Sequence, residues 1–383
     1  MAIKVLYFQA HPVYGATENY LFTLAQGLSK ENFEVGILYP DVLALQAFTK
    51  LQNVQIVKVD SKYFTGNLIR SAYYIAKEIR RYAPDILHIN DPSLLGAIPS
   101  LMVAKGIAAC FAGVKRVVIT HHTPELKVQY NWKGNLVKRI VFKLTDYFIF
   151  TSPYDKAMGI KLDNISPVKS KVIALGLETS KFSLTQEERD IIRVNIREKL
   201  QIPQDHIVIA SAGRLESQKA QSDLIKAANI ICSHHENITF VLVGEGSLRA
   251  TLETQINNLG LSRRFLLPGF VNNIGEFLCA VDIFTMSSLF EGLCYAVVEA
   301  AAMGIPVVAT AVGGMRYSVA DGETGILVEP GYPEKLAEKL NYLLQNPDIA
   351  HLMGKNGKEY FNRLFTVDKM VSETEKLYYE LTE

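Results

Sequence analysis

The residues best suited to chemistry lie in Ser287–Pro306. A strand there ends in small polar residues, a loop carries Glu291-Gly292-Leu293-Cys294, and a very apolar helix runs to Gly304. That glycine is a C-terminal stop, with Pro306 just beyond. Glu299 is the only ionisable group in the helix. A carboxylate among Ala and Val must find strong partners or take up its proton more readily. Two vicinal hydroxyls would suit it, because an ionised carboxylate offers two acceptor oxygens to a ribose diol. The alternative is a buried Glu bonded to Arg or to backbone N–H groups. Residues 291–294 would form the helix mouth, where unpaired N–H groups and the positive dipole end favour phosphate. Gly292 permits close approach there. Glu291 would face the sugar side and accept from hexose hydroxyls.

A second cluster follows the apolar run Ile207–Ala212, where Gly213-Arg214 and then Lys219 occupy a loop. A departing nucleoside diphosphate gains negative charge, which cations and helix ends must neutralise where the sequence offers no metal site. Arg214 can grip phosphate oxygens through its fork, and Lys219 acts as a movable point charge. Solvated surface cations are the competing interpretation.

In this order, Arg214, Lys219, Glu291 and Glu299 resemble the pattern of the retaining glycosyltransferases of family 4. The resemblance extends to Gly244-Glu245-Gly246, Pro268-Gly269-Phe270-Val271, Val312-Gly313-Gly314 and Asp321–Val328, so it spans most of the chain. It implies an α/β fold of the GT-B kind, with two Rossmann-like doubly wound parallel-sheet domains facing a cleft and C-terminal helices closing back. Residues 1–180 would bind the acceptor, residues 181–365 the nucleotide-sugar donor, and residues 366–383 would be the closing helices. By position, Arg214 and Lys219 would bind the diphosphate, Glu291 the transferred sugar and Glu299 the ribose. Gly213, Gly244, Gly292, Leu293 and Cys294 would line the donor site, and the backbone around Phe270 and Val271 would meet the base. Gly15-Ala16-Thr17-Glu18 resembles the family's glycine-rich loop, with Ala16 in place of its second glycine. Family members also carry a histidine beside the reacting sugar, which favours His122, with His121 as the alternative. Two departures bear on sugar preference: Cys294 stands where small residues are usual, and Tyr317 where Glu is frequent.

These groups need a scaffold. Short β-rich runs at Ile3–Phe8, Phe33–Tyr39, Val54–Val59, Ile86–Asn90, Val117–His121, Tyr147–Thr151 and Val172–Leu175 alternate with helical patterns such as Thr17–Ser29 and Leu68–Tyr82. A second series has strands at Ile207–Ala212, Thr239–Gly244, Phe265–Gly269, Ile283–Met286, Pro306–Thr310 and Gly325–Val328. Alternation of this kind predicts parallel sheets covered on both faces, with ligands gathered beyond the carboxyl ends of the strands. The polar stretch Leu177–Thr185 reads as a linker, followed by a charged helix over Gln186–Leu200. Phe365–Glu383 is amphipathic and reads as closing helices.

A chain of 383 residues suggests two domains. Its four cysteines, Cys110, Cys232, Cys279 and Cys294, show neither CxxC pairing nor a histidine cluster at metal-ligand spacing. The expectation is a cytoplasmic enzyme with no metal cofactor. The apolar N-terminal run is too short for a signal-peptide core, and Leu94–Val114 is broken by Pro99, Lys105 and Gly106. Residues 1–176 hold 21 Lys and Arg against 12 Asp and Glu, so that half is +9 and the remainder −8. The basic half suits an anionic acceptor or leaflet, with Lys127–Lys143 and Trp132 as a candidate interfacial helix; ordinary solvated lysines are the other option. No aromatic-interleaved motif points to nucleic acid. The expected partners are a nucleotide-sugar donor, with UDP-glucose first and GDP-mannose open on family frequency, and a glycan or lipid-linked acceptor. The rivals are a GT-B-like sugar-nucleotide epimerase and an inactive sugar-nucleotide-binding protein. An NAD oxidoreductase would need GxGxxG after the first strand, which is missing.

Overall fold

The computed structural model describes residues 2–9, 16–41, 43–62, 68–91, 112–122, 139 and 141–383. Gly15, the apolar stretch up to Phe111 and the basic segment as far as Lys138 therefore lie outside the described residues. The chain divides into two compact units, Met1–Gly176 with Val367–Glu383, and Leu177–Thr366. Among the described residues no helix is long and apolar enough to cross a membrane.

The first unit is built on a seven-stranded parallel sheet. Its strands are β1 (Ile3–Gln9), β2 (Phe33–Pro40), β3 (Val54–Val59), β4 (Ile86–Asp91), β5 (Arg116–His121), β6 (Tyr147–Phe150) and β7 (Ser170–Val172), in the spatial order β3-β2-β1-β4-β5-β6-β7. The strand order reverses between β1 and β4, the place where open sheets of this kind take ligands. Register sets Gln9 opposite Asn90, and Asn90 opposite Thr120, so three polar side chains sit in a row at the carboxyl edge. Below them Leu6, Phe8, Ile75, Leu87, Ile119 and Phe150 belong to one apolar core. The helix Pro153–Asp163 begins where the Ser152 hydroxyl accepts the Asp155 N–H at 3.1 Å, with proline in its first turn.

β7 starts two residues before the expected Val172–Leu175. Apolar content marked the later residues, but the ladder to β6 is carried by the backbone of Ser170 and Lys171, and Ile173 and Leu175 are simply buried beyond it. The expected closing helices of residues 366–383 are one helix, Val367–Thr382, packed on the first unit. Its Tyr378 is completely buried, hydrogen-bonded to His88 at 2.5 Å and to Tyr7 at 3.0 Å. Glu375 accepts the Ser29 N–H at 2.7 Å, and the Leu381 carbonyl accepts from Arg116 at 2.8 Å.

The second unit repeats the plan with six parallel strands: β8 (Ile207–Ala212), β9 (Ile238–Val243), β10 (Phe265–Gly269), β11 (Ile283–Met286), β12 (Val307–Thr310) and β13 (Gly325–Val328). Their order is β10-β9-β8-β11-β12-β13, so the reversal falls between β8 and β11. Every residue of β9, Ile-Thr-Phe-Val-Leu-Val, is buried, as expected of a strand covered on both faces.

The charged helix Gln186–Lys199 opens with a capping box between Thr185 and Glu188. Its Arg197 is completely buried and donates to the carbonyls of Gln204, His206 and Ala280 and to the Asp282 carboxylate. Asp282 also accepts from Arg193 and from the N–H of Val208, the second residue of β8. One guanidinium thus ties the helix to the entry of the two central strands. Arg197→Met keeps much of the volume but strands those acceptors, so we expect a loss of about 3 kcal/mol in the second unit's unfolding free energy, read by urea titration.

Candidate functional site

β8 and β11 are neighbours, so the loops that leave their carboxyl ends meet. The short turn Ser217–Lys219 ends at Ala220, whose φ is +46°. The Ser287 hydroxyl reaches the carbonyls of Lys219 and Ala220 at 2.9 and 3.0 Å. Gln218 is stitched to the other loop twice, its carbonyl accepting from Leu289 N–H at 2.8 Å and its side chain donating to the Phe290 carbonyl at 2.9 Å. This lacing brings the Lys219 ammonium against the Glu291 carboxylate as an ion pair. The same Glu291 oxygen accepts from the Ser288 hydroxyl at 2.7 Å, and Thr310 holds the Ser288 carbonyl at 2.6 Å. Glu291 and Ser288 are both buried. Burial works against the ammonium form of Lys219, but the charge and hydrogen bond of the Glu291 carboxylate work the other way, and the proton is held more tightly than usual.

Gly313 and Gly314 support this loop from behind. Gly313 has φ +47°, and a Cβ there would strike the Glu291 carbonyl, while the Gly314 N–H donates to that carbonyl at 3.2 Å. Gly292, Leu293 and Cys294 are buried and lead into the helix Tyr295–Ala302. Burial, and then Glu291, push the Cys294 thiol up to about 12, so it is a neutral thiol at the helix mouth. The Tyr317 ring packs on Phe365, their centroids 5.5 Å apart.

Glu299 shows neither of the partners that a structural role would need. No hydrogen bond reaches its carboxylate among the described residues, and burial raises it to about 7, with Lys181 the opposing charge. Arg214 is 70% exposed and, among the described residues, pairs only with Glu216 at 3.0 Å, while its carbonyl is held by Gln221 at 2.8 Å. A surface pair of that sort contributes about 0–1 kcal/mol, so the guanidinium can change partner readily. Gly244 makes room for Gly213: it has φ +136°, and a Cβ there would strike the Gly213 carbonyl. Phe270 is 73% exposed just beyond β10, followed by a half-buried Val271.

In the first unit, Ala16 opens the helix Ala16–Gly27. His122 lies directly after β5, buried, with Nε2 2.6 Å from Asn90 Oδ1 and its ring edge-on to Tyr20 at 4.8 Å. Burial, with His121 and His88 nearby, lowers it to about 3. His121 is buried beside Phe150, their ring centroids 5.5 Å apart. Asn90 continues to Gln9 at 2.7 Å, and Gln9 to Glu18 at 2.6 Å. Sequence reading missed Gln9, Asn90, Ser288 and Thr310. The first two stood in plain view as polar residues closing apolar strands on either side of the reversal. Among the described residues, no three His, Cys, Asp or Glu side chains come together as a metal cage requires.

Two parallel sheets, each with reactive side chains beyond its reversal point, define an α/β enzyme of the two-Rossmann-domain class. The family model "Glycosyltransferase Family 4" matches residues 17–181, and "Glycosyl transferases group 1" matches residues 193–360. The chain is 26% identical over 406 residues to the UDP-Gal:alpha-D-GlcNAc-diphosphoundecaprenol alpha-1,3-galactosyltransferase of Escherichia coli, covering 99% of this chain and 97% of that one. Among solved structures, a glycosyltransferase from Rickettsia africae superposes with TM-score 0.85 at 21% identity, over 100% of this chain and 99% of the other. Anabaena HepE, crystallised in complex with UDP, superposes with TM-score 0.83 at 20% identity, over 99% and 100%. The chain belongs to glycosyltransferase family 4 and has the GT-B fold. It is an enzyme that transfers sugar from a nucleotide-linked donor in glycoconjugate assembly.

The raised Glu299 carboxyl has a measurable sign. Its proton is held more tightly folded than unfolded, so its contribution to stability is complete below about pH 4.5 and is lost as pH rises through about 7. Glu299→Gln cannot ionise. At pH 8 it should be more stable than the wild type by about 2 kcal/mol, allowing for partial solvent exposure, and the gap should close near pH 5 in parallel thermal melts.

Proposed function

We propose that the enzyme is a retaining, metal-independent hexosyltransferase that moves a hexose, glucose in the first instance, from a UDP-linked donor to a glycan or lipid-linked acceptor. The observation that carries this reading is the part-buried Lys219–Glu291 pair beyond the central strands of the second unit, with Glu299, whose carboxylate has no hydrogen-bond partner among the described residues, in the helix that follows. Residues 181–365 form the donor-binding half in this reading, and residues 1–180 the acceptor-binding half. The UDP in the E. coli relative's name and in the HepE complex supports the choice of base.

Lys219 gives one N–H to Glu291 and keeps others for a phosphate oxygen, while exposed Arg214 can leave Glu216 for the same diphosphate. As the bond from anomeric carbon to phosphate loosens, an oxocarbenium-like sugar forms against the diphosphate. The two cations and the Gly292–Cys294 helix mouth stabilise the charge that develops on the leaving group, which leaves no need for a divalent ion. Attack comes from the face the phosphate leaves, and the departing phosphate oxygen takes the acceptor hydroxyl's proton. Glu291, fixed by Lys219 and Ser288, accepts from hexose hydroxyls, and Glu299 takes the ribose diol. Phe270 and Val271 meet the base, the Gly15-Ala16 loop approaches the phosphate or the sugar, and His122 lies beside the transferred sugar. Gly213 and Gly244 shape the floor of the donor site. A cytoplasmic location with peripheral contact to an anionic leaflet belongs to the same reading and rests on the +9 charge of residues 1–176.

Two measurements test this. In a thermal-shift panel, UDP and UDP-hexoses should raise the melting temperature more than GDP, ADP or their sugars, and a larger shift with GDP-mannose would replace the donor. Arg214→Ala and Lys219→Ala should each lower kcat by about 10²–10³-fold, the usual cost of removing a charge-stabilising group. Near-wild-type turnover in both would remove the account.

A further inference from the structure

The hydrogen bonds behind His122 have a direction, and the backbone sets it. The Thr17 carbonyl can only accept, and it lies 3.0 Å from Asn90 Nδ2, so the nitrogen of that amide faces Thr17. The same nitrogen donates to Gln9 Oε1 at 2.7 Å. The Gln9 amide is thereby oriented as well, and its Nε2 donates to Glu18 Oε1 at 2.6 Å. Asn90 Oδ1 is then the atom 2.6 Å from His122 Nε2. An amide oxygen cannot donate, so the hydrogen of this short contact belongs to the imidazole. Gln9, Asn90 and Glu18 are each 2% exposed or less, which shuts water out as an alternative partner.

We propose that Asn90 is a positioning residue that fixes the Nε2–H tautomer of His122, leaving Nδ1 as the acceptor for a hydroxyl hydrogen of the bound sugar. Burial keeps the ring neutral, so Nδ1 holds a lone pair and no proton. Among the described residues no side chain or backbone group donates to Nδ1. A neutral acceptor in this place favours a sugar with an unblocked hydroxyl over the corresponding methyl ether. Thr17 and Gln9 act one step further back, by holding the amide of Asn90 in the orientation that makes its oxygen face the ring. The inference rests on the reading that His122 lies beside the transferred sugar.

The test separates the two. In the whole protein labelled with 15N-histidine, the long-range 1H–15N signals of His122 are assigned by their loss in His122→Gln. The Nε2–H pattern is expected, unchanged from about pH 6 to 9, and an Nδ1–H pattern or a tautomer mixture overturns the proposal. In Asn90→Asp a carboxylate faces Nε2, so His122 should acquire a titration within that range and Nδ1 should become a donor. Turnover relative to wild type at the same pH should then fall about tenfold from pH 8 to pH 6. An Asn90→Asp ring that stays neutral throughout also overturns the proposal, and should that variant not fold, the wild-type spectrum decides by itself. Undiminished transfer by His122→Phe, with an Nε2–H spectrum in the wild type, overturns the placing of His122 beside the sugar and leaves the tautomer assignment standing.

Discussion

An ammonium and a carboxylate held together largely out of water need hydrogen bonds from their surroundings, because desolvation of the two charges otherwise offsets their attraction. The surroundings of the Lys219–Glu291 pair meet that condition in part, on one carboxylate oxygen and on the two loops that carry the charges. Ser288 occupies the same carboxylate oxygen, Thr310 fixes Ser288, and Ser287 fixes the carbonyls of the lysine turn. Gly313 and Gly314 let a third loop press against the Glu291 backbone where any side chain would collide. Three strands, β8, β11 and β12, thus contribute to one charge pair. The sheet order that makes β11 the neighbour of both β8 and β12 is what permits it.

The same topology appears twice, with contrasting electrostatics. Beyond the reversal in the second unit stand ionised groups; beyond the reversal in the first stands a chain of neutral amides, an imidazole and hydroxyls, anchored on the Glu18 carboxylate. Neutral acceptors and donors read hydroxyl positions, whereas cations answer to diphosphate charge. That contrast accords with a division of labour between an alcohol-rich and an anionic substrate.

The fold was legible because the strand runs carry their own burial signature: β8, β10, β11 and β13 begin and end where the sequence places them. β7 was misplaced because its pairing depends on the backbone of Ser170 and Lys171, which have no apolar side chains to announce it. In the site, Glu299 stood out as one carboxylate in an apolar helix, and the structure leaves it without the partner that the bland alternative required. Asn90 and Gln9 were visible as polar strand ends, but not as partners. Their significance lies in register, Gln9 opposite Asn90, and register is a property of two strands 81 residues apart rather than of either alone. Gly244 looked like a ligand contact, yet its nearest reason is the carbonyl of Gly213.

The docking of Val367–Thr382 on the first sheet has a consequence for how the molecule is made. His88 and Tyr7 lie in the interior of strands completed early in synthesis, yet the phenol that satisfies them is Tyr378, translated only after the whole second unit. Domains usually mature in the order in which they leave the ribosome. Here the hydrogen bonds of Tyr378 to His88 and Tyr7 cannot form until the later unit has been made, so the final consolidation of the earlier one is post-translational.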